Sequence, residues 1–326
     1  MTVRKFRIGK LTFCALLITS VFLFFDFSSL QAQDFPAKPI NLVNQYPPGG
    51  SSELLAHTFI HLSTRIFGQP MILQTKPGGG GAIGTEFVYQ AKADGYTLLI
   101  GHMNCNTILP VAEGRSRGLG DLEPVCRLTL GNNLFCVKAD SPFKTIKDMI
   151  DWAKANPGQL TFGNFGTWSS SDFEWRWLEH KAGMKTRNVP YTGGGPVTIA
   201  LLGGHIQVGM IGPGSAYPHM RAGKLRALAI AGSLRLADIP NIPTMKEEGY
   251  DTGLDGVWKG ILAPKGTPRP IIEKLAAGFK KMTENKEAID NFAKLMEEFS
   301  YLGPDEFAKY WSENYKIYQD MVKMFK

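Results

Sequence analysis

The strongest constraint on the fold is an alternation that runs through most of the chain. Short apolar runs rich in β-branched residues alternate with longer amphipathic segments. The run 38–46 (KPINLVNQY) precedes the amphipathic segment 51–67, and the run 96–101 (YTLLIG) follows another helical segment. Short apolar runs indicate strands, whereas an apolar period near 3.6 indicates helices. Their regular alternation predicts an α/β fold, in which helices cover the faces of sheets.

The first 32 residues are set apart by their composition. Four basic residues lie within the first ten positions, the run 11–25 (LTFCALLITSVFLFF) is apolar, and a small residue, Ala32, ends the segment. A basic region, an apolar region and a small residue in this order are typical of a secretory signal peptide. We therefore expect residues 1–32 to be removed near Ala32 and the mature protein to be exported.

The composition is that of a globular protein. The chain has 326 residues, of which 44% are hydrophobic and 20% are charged, and this length suits two domains. The formal net charge of +7 includes four basic residues and one acid of the signal segment, which leaves about +4 for the mature chain. The basic residues are scattered and form no cluster. Nucleic acid is therefore not expected as a partner.

Three cysteines remain after the signal segment, namely Cys105, Cys126 and Cys136. Their spacing fits no zinc pattern, so no metal site is predicted. Cys126 and Cys136 flank a Gly-Asn-Asn turn between two predicted strands, and a cross-strand disulfide would suit an oxidising compartment. Two buried free thiols are the alternative, and the sequence leaves both open.

The stretch 76–86 (KPGGGGAIGTE) matches G-x-G-x-x-G, the glycine pattern of dinucleotide-binding turns. A true fingerprint has an acid at the end of the next strand to hold the ribose. Here that strand ends in His102, Met103 and Asn104, so the acid is missing. No Lys-Ser/Thr pair follows the glycines, which argues against a P-loop. We predict no nucleotide and no other cofactor.

Four turns rich in glycine and serine lie between a predicted strand and a predicted helix: 47–53, 76–86, 163–171 and 191–196. Such turns present backbone N–H groups near the positive end of a helix dipole, where a carboxylate or phosphate binds well. One such turn alone is explained by tight-turn and capping chemistry. Four of them, divided between two halves of a hinged protein, favour an anion-binding cleft.

The sequence offers little support for catalysis or for metal binding. His57 and His61 share a predicted helix face, but HTFIH lacks the glutamate of a zinc protease helix and a third ligand. Ser215 lacks the glycine two residues later that a nucleophile elbow requires. Nothing places a base beside serines 169–171, and a hydrolase that uses one of them is the weakest hypothesis. Trp168 lies in the third turn, where it either packs or contacts a ligand.

Taken together, these motifs resemble the Bug (TctC-like) family of extracytoplasmic solute receptors, which serve tripartite tricarboxylate transporters. The resemblance begins with FPAKPINLVNQYPPGGSSELLAH, KPGGGGAIGTEFVYQAKADGYTLL and NVPYTGGGP. It continues with LLGGHIQVGMIG, PHMRAGKLRALAIAGSLRLADIPNIPTMKEEGY and WKGILAPKGTP. It extends from about residue 35 to the C-terminus, in the family's order and spacing.

The resemblance implies a two-lobed periplasmic-binding-protein fold of type II, an α/β fold in which each lobe is a sheet flanked by helices around a hinged cleft. The first lobe would comprise residues 34–134 and 253–326, and the second lobe residues 135–252. The resemblance implies a small carboxylate ligand, the membrane permease of a tripartite tricarboxylate transporter as partner, and no enzymatic activity; we expect a monomer. The ligand-binding residues implied by position are Pro48, Gly49, Gly50, Ser51, Ser52, Glu53, Gly79, Gly80, Gly81, His102, Asn104, Gly166, Thr167, Trp168, Ser169, Ser170, Tyr191, Gly193, Gly194, Gly195 and Gly212.

The chain departs from the family's usual pattern within this implied site. Glu53 stands where an aspartate is usual, His57 where an arginine is usual, and Trp168 where a glycine is common. Such changes leave the fold class intact, but the identity of the ligand does not transfer. Because Trp168 would stack on a ring, an aromatic carboxylate is our hypothesis for the ligand. A periplasmic sensor that signals to a histidine kinase would have the same fold and site, and it is the alternative function.

Overall fold

The computed structural model describes residues 35–48, 51–232, 235–251, 253, 256–293 and 298–325. The predicted signal segment and two predicted site residues, Gly49 and Gly50, therefore lie outside the described residues. Within these ranges, no helix is long and apolar enough to cross a lipid bilayer. The described residues form two sheets flanked by helices, as the alternation in the sequence predicts.

The strands of the described ranges are β1 (Ile40–Asn44), β2 (Met71–Thr75), β3 (Thr97–His102), β4 (Leu122–Gly131), β5 (Asn133–Lys138), β6 (Thr161–Asn164), β7 (Arg187–Pro190), β8 (Val208–Ile211), β9 (Leu225–Ala231), β10 (Val257–Pro264) and β11 (Phe299–Leu302). The first sheet has the order β11-β4-β10-β3-β1-β2, and the second has the order β7-β6-β8-β5-β9. In the first sheet β1 is parallel to β2 and β3, and in the second β6 is parallel to β7 and β8. Because parallel neighbours need crossover connections, the segments between these strands are helical.

The helices of the same ranges are α1 (Ser51–Phe67), α2 (Ala82–Tyr89), α3 (Leu109–Glu113), α4 (Ile146–Ala155), α5 (Ser170–Ala182), α6 (Gly194–Leu202), α7 (Pro213–Arg221), α8 (Arg269–Thr283), α9 (Lys286–Ala293) and α10 (Pro304–Phe325). Helices α1, α8 and α9 cover one face of the first sheet, around Phe59 and Phe279. The other face carries α2 and α10, with Trp258 of β10 and Trp311 of α10 buried in this layer. The first sheet is therefore buried on both faces, as expected for an α/β unit.

The second sheet is also covered on both faces. Helices α4 and α5 pack on one face, where the ring of Trp175 stacks on Phe162 with centroids 3.8 Å apart. Helices α6 and α7 pack on the other face, around Val197 and Leu201. Since α5 follows β6 and α6 follows the parallel strand β7, both helices begin at the same edge of the sheet.

The chain passes from one sheet to the other at two places that lie close together. Asn132 alone separates β4 of the first sheet from β5 of the second. The return passage leaves β9 through Gly232 and enters β10 after Gly256. A Cβ atom on Gly232 or Gly256 would lie 2.3 or 2.5 Å from Asn132 Oδ1, so only glycine fits at either position. Two adjacent crossings of this kind form a natural hinge between the sheets.

The expected hairpin around the Gly-Asn-Asn turn is wrong, because β4 and β5 belong to different sheets. Apolar patterns predict strands, but they do not say which strands pair. Cys126 on β4 and Cys136 on β5 are both free and buried, so the alternative of two free thiols holds. Burial raises the pKa of the Cys136 thiol to about 12.

The C-terminal helix α10 connects the two halves. It packs against β4 of the first sheet, and its Tyr318 ring meets Phe173 of α5 edge-on, with centroids 5.2 Å apart. The first sheet takes its strands from residues 40–131 and 257–302, and the second from residues 133–231. The exact residue bounds of the two lobes stay a prediction.

Candidate functional site

The predicted site residues gather where the strands of both sheets end. In the first sheet they lie in the loops after β1, β2 and β3, and in the second sheet in the loops after β6, β7 and β8. The carboxyl ends of parallel strands share one edge of a sheet, which is where ligands bind in α/β proteins. The two edges meet, since the backbone N–H of Ser170 donates to Asn104 Oδ1 at 3.0 Å. They form the two walls of one cleft: the first wall belongs to the first sheet and the second wall to the second sheet.

The loop after β1 opens the first wall and runs into helix α1. Pro48 is exposed, Ser52 is buried and Glu53 is half-buried. The Glu53 Oε1 atom lies 3.9 Å from Nε2 of exposed His57, one helical turn further on. His61 is also exposed and places its Nε2 3.3 Å from Glu287 Oε1 on α9. His57 and His61 both lie on the exposed surface of α1, and no group of three possible metal ligands occurs among the described residues.

The glycine turn before α2 needs glycine for its own fold. All four residues 78–81 have positive φ, from 59° to 127°, a region that only glycine adopts readily. The first three are exposed, and Gly81 is buried. A Cβ atom on Gly81 would lie 3.1 Å from Cys105 Sγ and 3.3 Å from Gln45 Cγ. Tight packing against its own lobe therefore explains Gly81, while Gly79 and Gly80 leave bare backbone at the wall.

A buried amide network under the first wall escaped the sequence-based prediction. Thr85 Oγ1 donates to Gln45 Oε1 at 2.8 Å. Asn106 Oδ1 accepts the backbone N–H of His102 at 2.9 Å, and its Nδ2 donates to the carbonyl of Arg117 at 3.0 Å. Gln45 Nε2 is buried and has no acceptor in the described part of the chain. No motif announces these residues, because single amide side chains after strands are ordinary in turns.

His102 is a neutral hydrogen-bond donor at the end of β3. Burial lowers the pKa of His102 to about 3, helped by the charge of Lys259, its neighbour in the β3–β10 ladder. The Nδ1 atom of His102 accepts the backbone N–H of Asn104 at 3.2 Å. In the neutral ring the proton therefore lies on Nε2, an assignment that follows from the hydrogen bond. The ring packs edge-on against Tyr46, with centroids 5.3 Å apart.

The turn before α5 is closed by a carboxylate of its own helix. Asp172 is buried and accepts three hydrogen bonds: from Asn164 Nδ2 at 3.2 Å, from the backbone N–H of Trp168 at 3.0 Å and from Arg176 Nε at 2.9 Å. Ser169 Oγ caps α5 by accepting the backbone N–H of Asp172 at 3.3 Å. Much of the hydrogen-bonding capacity of this turn is thus used within the protein. Sequence reasoning missed Asn164 and Asp172.

Trp168 packs along its own helix at the edge of the cleft. Its backbone is left-handed, with φ of 60°, and its side chain is half-buried. The Arg176 guanidinium lies 5.1 Å from the ring centroid, and the Phe173 ring lies 5.4 Å away. Both neighbours belong to α5, so the ring serves at least in part as packing.

The turn before α6 is open. Gly193, with φ of 141°, is the N-cap of α6. No described atom lies within 4 Å of the Cβ position of Gly193 or Gly195, whereas that of Gly194 touches the Phe165 ring at 3.4 Å. Tyr191 flanks the turn and packs against Gly163 of β6. The first N–H groups of a helix have no acceptor inside it, and the helix dipole adds positive potential there. Among the described residues, the N–H groups of Gly194 and Gly195 have no acceptor, so this turn offers donors to an anion.

Gly212 is the N-cap of the neighbouring helix α7 in the same wall. Its carbonyl accepts the backbone N–H groups of Ser215 and Ala216, each at 3.0 Å. The Cβ position of Gly212 lies 3.9 Å from Asn133 Oδ1, which puts this glycine close to the hinge. Of the predicted site residues, the structure joins Asn104 by hydrogen bonds to His102 and to Ser170 of the opposite wall.

Several known proteins are similar to this chain. Residues 59–325 match the model of the tripartite tricarboxylate transporter family receptor. The UPF0065 protein in the gbd 5′ region of Cupriavidus necator is 34% identical over 286 residues, which cover 88% of this chain and 87% of that protein. A solved structure of a periplasmic transporter is 32% identical with a TM-score of 0.81, and the match covers 89% of this chain and 97% of that chain. MatC from Rhodopseudomonas palustris with bound malate is 26% identical with a TM-score of 0.78, covering 88% of this chain and 100% of that chain.

Proposed function

Since the chain belongs to the TctC receptor family of tripartite tricarboxylate transporters, we propose that it captures a small carboxylate in the cleft between its two sheets. The family is one of receptors, and the chain has the two-lobed periplasmic-binding-protein fold expected from its sequence. The observation that carries the proposal is the open N-terminus of α6 in the same cleft as the neutral donors of His102 and Asn104.

The donors of the cleft suit a carboxylate in two ways. Backbone N–H groups at the start of α6 point along a favourable helix dipole, and hydrogen bonds from them to an anion are roughly twice as strong as neutral ones. His102 adds a donor without a charge, because its pKa is about 3 and the ring stays neutral at physiological pH. Closure of the hinge around Asn132 would exclude water and strengthen these bonds. No covalent step is required.

We propose an aliphatic acid with one or two carboxylates as the first candidate ligand. The similarity to MatC, which holds malate, supports this choice. The contacts of the Trp168 ring with Arg176 and Phe173 also favour it, because they occupy part of the surface that would stack on an aromatic ligand. An aromatic carboxylate remains the second candidate, since Trp168 is only half-buried at the cleft edge.

The partner in this proposal is the membrane permease of a tripartite tricarboxylate transporter, and the place is the periplasm. The signal-like segment 1–32 and the similarity to a periplasmic transporter support this location. A sensor that signals to a histidine kinase would use the same cleft. Deleting the gene of this chain separates the two: loss of carboxylate uptake with intact gene induction supports transport, whereas lost gene induction supports the sensor.

A thermal-shift screen tests the ligand class. Malate, succinate, citrate and benzoate are each compared with the amide analogue that has the same shape but no carboxylate. A ligand at 100 times its Kd stabilises the native state by about 2.7 kcal/mol, which corresponds to a rise in Tm of about 5–10 °C. We expect such a rise for at least one acid and none for its amide. Equal responses to an acid and its amide would contradict carboxylate recognition.

A further inference from the structure

One hydrogen bond joins the two walls of the cleft. The backbone N–H of Ser170, the first residue of α5, donates to Asn104 Oδ1 at 3.0 Å. Asn104 is also fixed on its own side, because its backbone N–H donates to His102 Nδ1. Asn104 therefore reaches across the cleft from a rigid position at the end of β3.

This bond determines which way the Asn104 amide points. A backbone N–H can only donate, so the side-chain atom that faces Ser170 is the oxygen. The NH₂ group then lies on the other branch of the amide. Asn104 Nδ2 forms no hydrogen bond with any described residue, and it is not among the buried polar atoms without a partner. Within the described residues, Asn104 Nδ2 is therefore an unused donor on a half-buried side chain.

We propose that Asn104 has two linked roles in the cleft: its Oδ1 ties the walls together, and its Nδ2 donates to the ligand carboxylate and so selects for an acceptor. The inference rests on the proposed function. Ser170 supplies further support, because its Oγ is buried and lacks a partner in the described part of the chain, which adds an unused donor next to the tie.

The tie has a consequence for affinity. A hydrogen bond between the walls favours the closed arrangement before any ligand arrives, so a smaller part of the ligand's binding energy is used for closure. The orientation of the same amide also determines whether donors or acceptors face the ligand. While its oxygen is held by Ser170, the other branch of the Asn104 amide presents only N–H donors, which favours ligand groups that accept hydrogen bonds.

Two substitutions separate the roles. Asn104→Asp keeps an oxygen for the N–H of Ser170, but its second oxygen repels a carboxylate. Asn104→Ala removes both the tie and the donor. The matched control is Asn285→Asp, the same change at the start of α9, where Asn285 Oδ1 accepts the backbone N–H of Glu287 at 3.1 Å. The radius of gyration without ligand is measured by small-angle X-ray scattering, and affinity for malate, succinate and benzoate by calorimetry at pH 7.5.

The expected results differ for each variant. Without ligand, Asn104→Ala has a larger radius of gyration than the wild type, whereas Asn104→Asp stays as compact as the wild type. Both bind the carboxylate about 10- to 100-fold more weakly, as expected for a lost hydrogen bond to a charged group. The control matches the wild type in both measurements.

Other outcomes overturn the inference. If Asn104→Ala has the radius of gyration of the wild type, Oδ1 does not hold the walls together. If Asn104→Asp binds the carboxylate within about twofold of the wild type, Nδ2 is not a donor to the ligand. If the wild type itself binds none of the acids, the proposed function fails and the donor role fails with it. In that case the radius of gyration without ligand still tests whether Asn104 holds the two walls together.

Discussion

Two turns of the second wall look alike in sequence and differ in structure. The α5 turn (166–170) and the α6 turn (191–195) both join a parallel strand to a helix through small residues. In the α5 turn, Asp172 takes the backbone N–H of Trp168, and Asn104 takes that of Ser170. In the α6 turn, no described atom approaches the Cβ positions of Gly193 and Gly195.

One acidic residue accounts for much of this difference. Asp172 lies three residues after the N-cap of α5 and folds its carboxylate back onto the turn, where it replaces an external anion. Helix α6 contains no ionisable residue, so its N-terminal donors have no such internal partner. A glycine-rich turn before a helix therefore becomes an anion site only if the first turn of that helix does not supply the anion itself. We accordingly expect the ligand carboxylate at the α6 turn.

The largest expected effect comes from removing the internal anion. Asp172→Ala leaves the donors of Asn164, Trp168 and Arg176 without their buried acceptor, and breaking such a pair costs about 3 kcal/mol or more. Urea unfolding followed by circular dichroism should show a lower midpoint. The control is Asp151→Ala on α4, an exposed acid paired with Lys147, which should leave the midpoint unchanged. Equal losses in both variants would mean that the α5 turn does not depend on its carboxylate.

The next effect is a pH dependence of the protein's stability that arises from one acid on α5. Burial raises the pKa of Glu174, a second acid on this helix, to about 8. In the unfolded chain its pKa is about 4.3, so between these values the folded protein holds a proton that the unfolded chain has released. Through this acid, stability therefore falls as pH rises from about 5 to about 8.

Glu174→Gln isolates this contribution. The variant should become more stable relative to the wild type as pH rises through this window, because it has no carboxyl to ionise. Melting temperatures of the two proteins at half-unit pH steps measure the difference, with Glu313→Gln on the exposed side of α10 as the control. A constant difference between Glu174→Gln and the wild type from pH 5 to pH 8 would show that Glu174 does not titrate in this range.

The α6 turn is tested by a pair of substitutions at one position. Gly194→Pro removes a backbone N–H at the first helical position, where proline is well tolerated, whereas Gly194→Ala keeps it. If the carboxylate binds there, proline should weaken malate binding by about 1.5–3 kcal/mol, and alanine should have little effect. Calorimetry compares the affinities of the two variants for malate. Equal affinities would show that the carboxylate does not bind at the α6 turn.

Sequence reasoning predicted the elements of this protein better than their arrangement. Helix α1 occupies the residues predicted for it, 51–67, because the hydrophobic period is a local signal. The supposed hairpin of β4 and β5 failed, since strand pairing depends on contacts far apart in sequence. The apolar pattern predicts no element for the segment 104–113, which forms a π-helical turn (Asn104–Ile108) and α3.

The candidate site divides in the same way. The positions of the glycine turns at strand ends were predictable, because Gly and small residues mark them in the sequence. Whether the N–H groups of each turn are free was not predictable, because it depends on where Asp172 and Asn104 point. The role of Gly81 was also hidden, since its contacts with Gln45 and Cys105 come from distant parts of the chain.

The smallest expected effect concerns Trp168, where two terms oppose each other. Glycine at this position would relieve a left-handed backbone that costs about 1 kcal/mol, but it would lose the ring contacts with Arg176 and Phe173. We expect Trp168→Gly to change the free energy of unfolding by less than about 1 kcal/mol and malate affinity by less than about threefold. Calorimetry with malate and benzoate in parallel is the decisive measurement. A tenfold loss for benzoate alone would make the ring a ligand contact, and the α5 turn would then select the ligand's body while the α6 turn holds its carboxylate.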